Sequence, residues 1–146
     1  MGLRYDGGLN RSIYQDTAIP VALSLRTRVT LAQLNAGLTL LPALVGLKYR
    51  IIDMKLIAVG GAATTGTSVN VIGTRAAAAV QLLVAAVAAL TQSALLRAGA
   101  ANAVILADGA SFTQLDANTA ITVITVGTAM TVMTAIDVDL TFAIEE

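Results

Sequence analysis

The feature that most constrains this chain is its last long segment, Ile136-Asp-Val-Asp-Leu-Thr-Phe-Ala-Ile144, in which large apolar residues alternate with Asp, Thr and Ala. Side chains of a strand point to opposite faces with a period of two. Ile136, Val138, Leu140, Phe142 and Ile144 therefore face one way, and Asp137, Asp139, Thr141 and Ala143 the other. A helix would scatter the same residues around its circumference. One face of this strand needs a core, and closing a core needs further layers of structure.

The rest of the chain supplies them. Residues 21–29 alternate Val21, Leu23 and Leu25 against Ala22, Ser24 and Arg26, the pattern of a half-buried strand. Thr30 is placed to cap a single helical turn, residues 31–36, that Gly37 closes. Residues 38–42 form a short extended piece that Pro42 confines to an edge or an end. The longest strand is expected over 49–59, with Ile52, Met54, Leu56 and Ala58 on one face, Asp53 and Lys55 on the other, and Ile51 and Ile57 making that second face partly buried. A glycine-rich loop, 60–66, leads to a strand over 67–72 that points Val69 and Val71 inward, and the two strands are expected to pair as antiparallel neighbours.

Residues 76–96 are ambiguous: alanine favours helix, while Val80-Gln-Leu-Leu-Val84 alternates as a strand. The strand reading is taken, because everything after it is β. Val104 to Asp108 reads as a strand entering an Asp108-Gly109 turn, with Ser111 to Leu115 leading out of it, and residues 119–126 form another strand. Seven or eight short strands with Gly-rich turns and no regular βα alternation predict an all-β, jelly-roll-like β-sandwich over 21–146, with at most one or two short helical turns.

Residues 1–20 differ from the rest. They show little periodicity, carry adjacent glycines at Gly7 and Gly8, and are too polar to form a core, which predicts an extended arm. Its candidate partner contacts are Arg4, Tyr5, Arg11, Ile13 and Tyr14. The segment has no apolar run of the kind a secretory signal requires, so synthesis in the cytoplasm is expected.

Composition narrows the chemistry. The chain has no Cys, which removes disulfides, thiolate metal sites and thiol nucleophiles, and no His, the usual proton shuttle and commonest metal ligand. No catalytic, cofactor or metal residue is expected. Charged residues are only 12% of the chain against roughly 25% in an average soluble domain, so much of the outside should be smooth and weakly polar, as in a subunit of an assembly. Charge is also unevenly placed. Eight basic residues face three acidic ones through Arg75, and Arg97 faces six acidic residues beyond it. Pairing of the two halves within one chain is the favoured reading, and contact between basic arms and acidic faces of neighbouring copies is the alternative.

Several motifs invite a chemical reading. Gly61-Ala-Ala-Thr-Thr-Gly66-Thr67-Ser68 has the glycine spacing of a phosphate-cradling loop, but Thr67 stands where that motif needs lysine, and a hairpin loop is expected instead. Asp137-Val-Asp139-Leu-Thr141 matches the aspartate signature of haloacid-dehalogenase-type phosphatases, which requires a large α/β domain after the motif. The period of two makes these acids the outer face of a strand. Asp108, Asp116 and Asn118 could approach a cation, although Asp-Gly and Asp-Ala-Asn serve turns well. A small hydrolase using Asp108 and Asp116 would have no substrate to name. Asn10-Arg-Ser12 fits a glycosylation acceptor by chance. Basic residues are scattered without interleaved aromatics, so no nucleic-acid binding is expected. Ala76 to Leu96 is uncharged and long enough for a membrane span, but alanine dominates it and Gln81 interrupts it, so none is expected there.

A series of short phrases, Thr30-Leu-Ala-Gln-Leu-Asn-Ala-Gly37, Leu40-Leu-Pro42, Tyr49-Arg-Ile-Ile-Asp53, Gly60-Gly-Ala-Ala63, Leu95-Leu-Arg-Ala-Gly99, Ala107-Asp-Gly-Ala-Ser-Phe112 and Asn118-Thr-Ala-Ile121, resembles in order the head decoration, or cement, proteins of tailed phages. The resemblance covers roughly residues 29–144. It implies a β-sandwich virion protein that forms a homotrimer on the outside of a phage head and clamps neighbouring subunits of the major capsid protein, with no catalytic residues. A tail- or fibre-associated carbohydrate-binding sandwich is the alternative, and it would need an exposed aromatic platform built from Tyr5, Tyr14, Tyr49, Phe112 and Phe142.

Overall fold

The computed structural model describes residues 21–146. Strand β1 (Leu23–Thr30) runs directly into helix α1 (Leu31–Ala36), and Thr30 makes the transition. The Thr30 hydroxyl accepts from the Gln33 amide, while the Gln33 side chain accepts from the Thr30 amide at 2.9 Å, a reciprocal capping box. Gly37, at φ 84°, ends the helix and turns the chain into β2 (Leu38–Leu41). The strands that follow are β3 (Lys48–Val59), β4 (Ala63–Thr64), β5 (Ser68–Arg75), β6 (Ala78–Ala86), β7 (Leu95–Arg97), β8 (Ala103–Ile105), β9 (Ile121–Val126), β10 (Thr131–Val132) and β11 (Ala135–Glu145). Short 3₁₀ turns occupy Val87–Ala89 and Ala107–Phe112.

Two antiparallel sheets result, one ordered β1-β11-β3-β7 and the other β2-β9-β5-β6-β8, with β4 and β10 as a small separate ribbon. Apart from β4, β8 and β10, the chain visits the sheets in the order first, second, first, second, second, first, second, first. That alternation makes an eight-stranded jelly roll. The core lies between the inward faces. Val29, Ile51, Met54, Leu56, Ile136, Val138 and Leu140 from one sheet meet Val69, Val71, Leu82, Leu83, Ile121 and Val123 from the other, all essentially inaccessible to water. At one end of this layer Tyr49 and Phe142 pack edge to face at 5.7 Å, and the Tyr49 hydroxyl donates to Pro42 O at 2.7 Å. Burial pushes the Tyr49 phenol above its ordinary pKa.

The helical turn and β11 as far as Phe142 match the sequence reading, the strand reading of residues 76–96 holds over 78–86 and gives way to a 3₁₀ turn at Val87–Ala89, Ala143 is buried where the alternation put it outside, and four further expectations need correction. The strands over 49–59 and 67–72 are not neighbours: β3 and β5 lie in different sheets, and residues 60–67 cross between them instead of closing a hairpin. Ile52 does not share a face with Met54. It is the extra residue of a bulge, because Thr141 pairs with Asp53 and Phe142 with Ile51, which turns Ile51 into the core and leaves Ile52 46% exposed. Val21, which precedes β1, and Leu23, the first residue of this edge strand, are exposed and do not share the burial of Val29. The strand expected over 104–108 stops at Ile105, and the stretch expected to lead out at Ser111 is a 3₁₀ turn. The Asp108-Gly109 turn does form, with φ 54° and 69°.

One connection carries visible strain. The β5–β6 hairpin turns on Ala76 and Ala77 alone, at φ 50° and 59°, a geometry that normally selects Asn and Gly. The Asp116 carboxylate compensates by accepting from both amides, at 3.1 Å from Ala76 N and 2.8 Å from Ala77 N. Ala77→Gly should therefore raise the unfolding free energy by roughly 0.5–1 kcal/mol, the relief of left-handed strain less glycine's entropy. Asp116→Ala should lower it by about 1–3 kcal/mol, the loss of two charge-assisted bonds at an otherwise strained turn. Urea titrations of both variants check the two signs.

Candidate interaction surfaces

The outer face of the first sheet is a ladder of charge. Reading across β1, β11, β3 and β7, one row is Arg26, Asp139, Lys55 and Arg97, and the next is Arg28, Asp137, Ile57 and Leu95. Arg28 grips Asp137 with two parallel bonds, Nε to Oδ1 at 2.7 Å and Nη2 to Oδ2 at 2.9 Å, and Arg26 Nε stands 3.5 Å from Asp139. Lys55 and Arg97 are direct cross-strand neighbours of like charge. Asp53 relieves their repulsion by contacting both at 3.2 Å. Towards the end of β11, Arg50 Nε lies 2.6 Å from Glu145, although its N–H does not point along that contact, so charge and not a directed bond holds the pair.

Among the described residues part of the uneven charge is thus paired within the chain: Arg26, Arg28 and Arg50 of β1 and β3 meet Asp139, Asp137 and Glu145 of β11. Arg28 holds the Asp137 carboxyl below the usual carboxylate range through its hydrogen bonds, against a smaller opposing effect of burial. For Asp53 burial alone would push the pKa up, but the bonds and charges of Arg97 and Lys55 together outweigh it and the net direction is down.

The three residues considered for a cation each serve a separate local task. Asp116 serves the Ala76–Ala77 turn, Asn118 Oδ1 accepts from Gly46 N at 2.7 Å, and Asp108 occupies its own turn at φ 54°. Among the described residues no group of three or more acidic side chains converges on a metal-sized site. No described helix is long and apolar enough to cross a membrane. Arg4, Tyr5, Arg11, Ile13 and Tyr14, and with them the arm over 1–20, lie outside the described residues. Of the described aromatic residues, Tyr49 and Phe142 are core and Phe112 is half-buried against it, so they offer no exposed stacking platform.

The second sheet presents a different outer face. Its cross-strand rows are Ile124, Asn70, Val84 and Val104; Thr39, Thr122, Ile72 and Gln81; and Val126, Ser68 and Ala86. None of these residues is charged. Ile72, Val84 and Ile124 are half-buried by their neighbours without belonging to the core, and Val104 is 61% exposed.

Charge is also missing from the adjoining end of the sandwich. Four connections meet there, residues 31–37, 60–67, 87–94 and 127–134, and none contains Asp, Glu, Lys or Arg. The last is held from every side. Asn35 brackets Met130, donating to its carbonyl at 3.1 Å and accepting from its amide at 2.9 Å. Thr64 bonds Thr131 O at 3.1 Å, Thr65 bonds Ala129 O at 2.7 Å, and Thr134 N bonds Val59 O at 3.0 Å. Met130 and Met133 are buried beneath.

Held this firmly, the loop sustains a conformation that its sequence disfavours. Met133 N bonds back to Thr131 O at 3.1 Å, making a three-residue turn around Val132 at φ 75°. Positive φ at a β-branched residue is costly, and the positive-φ γ-turn is the rare, strained form. Val132 nevertheless stands 64% exposed at the tip. Such strain persists only where the surroundings over-determine it, and it concentrates at contact and switch sites. No local pattern in the sequence singles out residues 127–134. The signal it held was the shared lack of charge in four separated stretches, which becomes a site only once the topology brings them to one end.

No family model, curated protein or solved structure matches the chain.

Three outcomes follow from this geometry. Val132→Gly should stabilise the fold by roughly 0.5–1 kcal/mol, the strain released less glycine's entropy. Gly60→Ala should destabilise it by more than the roughly 1–2 kcal/mol of left-handed backbone, because a Cβ at φ 73° would lie 2.2 Å from Thr134 Oγ1. Because the pKa values of Asp53 and Asp137 are lowered in the fold, their contribution is fully present above the unfolded carboxylate pKa, ordinarily 3.8, and is lost as pH falls through the lower folded values. Denaturant midpoints measured from pH 6 to pH 2 should fall less steeply for Arg28→Ala than for the parent chain.

Proposed function

We propose that this chain is a virion structural protein of the head-decoration type, acting as a homotrimer on the outside of a phage capsid and clamping neighbouring subunits of the major capsid protein. The single observation that carries the reading is the charge-free end of the sandwich, where an exposed valine is held on a strained, over-anchored turn. A rigid uncharged tip suits docking into a preformed, weakly polar groove between subunits, since little side-chain order is lost on binding. The jelly-roll architecture and the ordered phrases that resemble decoration proteins support the same role.

The mechanism is mass action, with no chemical step. A protein that binds the assembled lattice and not its dissociated parts stabilises each occupied site by about 2.7 kcal/mol at a hundredfold excess over Kd. Contacts that are individually weak become sufficient when a symmetric oligomer engages several at once. The firm anchoring of residues 127–134 lets each contact form without first ordering the loop.

Purified protein added to expanded, undecorated heads of its own phage should co-sediment with them and raise their disruption temperature. Val132→Asp should weaken that attachment while leaving the fold intact, and removal of residues 1–20 should weaken it too if the arm shares the contact. Heads that neither bind nor gain stability from the unaltered protein overturn the proposal. Undiminished attachment of a folded Val132→Asp chain removes the loop end from the mechanism.

A further inference from the structure

Between β6 and β8, both in the second sheet, residues 87–102 cross to the first sheet, lay β7 along its edge and return. Both ends of this strap are firmly placed. Leu90 is fully buried and its carbonyl accepts from Ala63 N at 2.8 Å; at the other end Ala103 is fully buried, and the Asn102 carbonyl accepts from Ala86 N at 2.8 Å. The middle has much less to hold it. β7 pairs with β3 only from Leu95 to Arg97, Leu96 is its one buried side chain, and Leu95 stands 57% exposed. Ser93 at φ 63° and Gly99 at φ 85° turn the chain on either side of it.

The pairing also opposes like charges. Lys55 lies directly across from Arg97, an arrangement that destabilises a strand pair. One carboxylate reverses the sign. Asp53 lies two residues before Lys55 on the same face of β3, and it meets Arg97 Nε through Oδ1 and Lys55 Nζ through Oδ2, each at 3.2 Å. Among the described residues no other carboxylate comes within ion-pair distance of either cation. Asp53 is itself held in place: it follows the bulge at Ile52, and its Oδ1 also accepts from Met54 N at 3.0 Å. With so little apolar burial in the middle of the strap, these three charges weigh heavily in how firmly β7 stays on the sheet.

We propose that β7 opens from β3 and closes on it as a local unit, and that Asp53 is the latch. Opening gives up the burial of Leu96 and the bonds to β3, while Leu90 and Ala103 keep the two ends of the strap in the core. It bares the edge of β3 from Lys55 to Ile57, and a bare edge is where another extended chain pairs, so the latch sets how often the first sheet is open to such pairing. The opening is independent of attachment to phage heads.

Hydrogen exchange of the full chain, followed by mass spectrometry, tests the latch. In the unaltered protein the amides of residues 95–98 should exchange well before those of β9, at rates that low concentrations of urea leave nearly unchanged, whereas β9 exchanges through global unfolding. Asp53→Asn keeps the shape of the side chain and its bond to Met54 N, and it should speed exchange of the strap by roughly threefold to tenfold. Adding Lys55→Gln to that variant should return most of the increase, because Arg97 then faces no like charge. Asp137→Asn is the control: it weakens the closed and the strap-open forms equally, so it should speed β9 and leave the strap unchanged.

Salt provides a test that needs no variant for its first half. About 1 M salt should speed opening in the unaltered chain by screening the latch, and slow it in Asp53→Asn by screening the repulsion that remains. Strap amides as slow as those of β9 overturn the proposal. So does a strap rate that Asp53→Asn leaves unmoved, one that Asp137→Asn raises as much, or one that Lys55→Gln fails to bring back.

Discussion

Everything in this structure depends on the double pairing of β11. It is bonded along one side to β1, from Leu23 opposite Phe142 to Thr30 opposite Ala135, and along the other to β3, from Lys48 opposite Glu145 to Val59 opposite Ala135. Its alternate residues then do two separate jobs. Ile136, Val138 and Leu140 fill the centre of the core, while Asp137 and Asp139 collect the arginines of β1 on the outside. A register slip of one residue would exchange those roles, burying two carboxylates and exposing three large aliphatics, so the period of two sets the pairing of both flanking strands. The edge strand β1 gains most from this. Only Val29 among its residues is buried, so backbone pairing and the two arginine contacts supply most of its hold.

That dependence explains why some of the fold could be read from the sequence and some could not. Strand β11, the capped turn at Thr30 and the inward Val69 and Val71 are local patterns, and local chemistry is enough to place them. The role of Ile52 was hidden because a bulge is a relation between two strands: nothing in Tyr49-Arg-Ile-Ile-Asp53 says that Thr141 and Phe142 will pair around an extra residue. The crossing of residues 60–67 was hidden for a similar reason. A seven- or eight-residue glycine-rich loop suits a hairpin or a change of sheet equally well, and the choice is made by β11, which already occupies the place beside β3 that β5 would have taken.

The candidate surfaces were still less legible, because each is made of positions far apart in the chain. Val132 sits in a stretch of ordinary β-prone residues, and its strain exists only because Asn35, Thr64, Thr65 and Gly60, from two other connections, leave the loop no alternative. The low charge of the whole sequence was visible from composition. Its distribution was not, since alternation along a strand reports which residues share a face but not which faces of which strands come together.

The two halves of the electrostatic pattern have one cause. A jelly roll buries one face of each sheet and leaves the other to solvent, so a chain with few charges cannot cover both outer faces. Among the described residues the sheet centred on β11 takes most of them, and its edge strand, with little hydrophobic hold, gains from cross-strand ion pairs that are each worth little alone but act along one seam. The second sheet needs no such help. Its central strands β5, β6 and β9 are locked by fully buried residues on the inner side, and on the outer side Ile72, Val84 and Ile124 shield one another and the buried Asn70, so the sheet holds without cross-strand ion pairs. That outer face is uncharged and mixed, with Ile72, Val84, Val104, Ile124 and Val126 set among Thr39, Ser68, Asn70, Gln81 and Thr122.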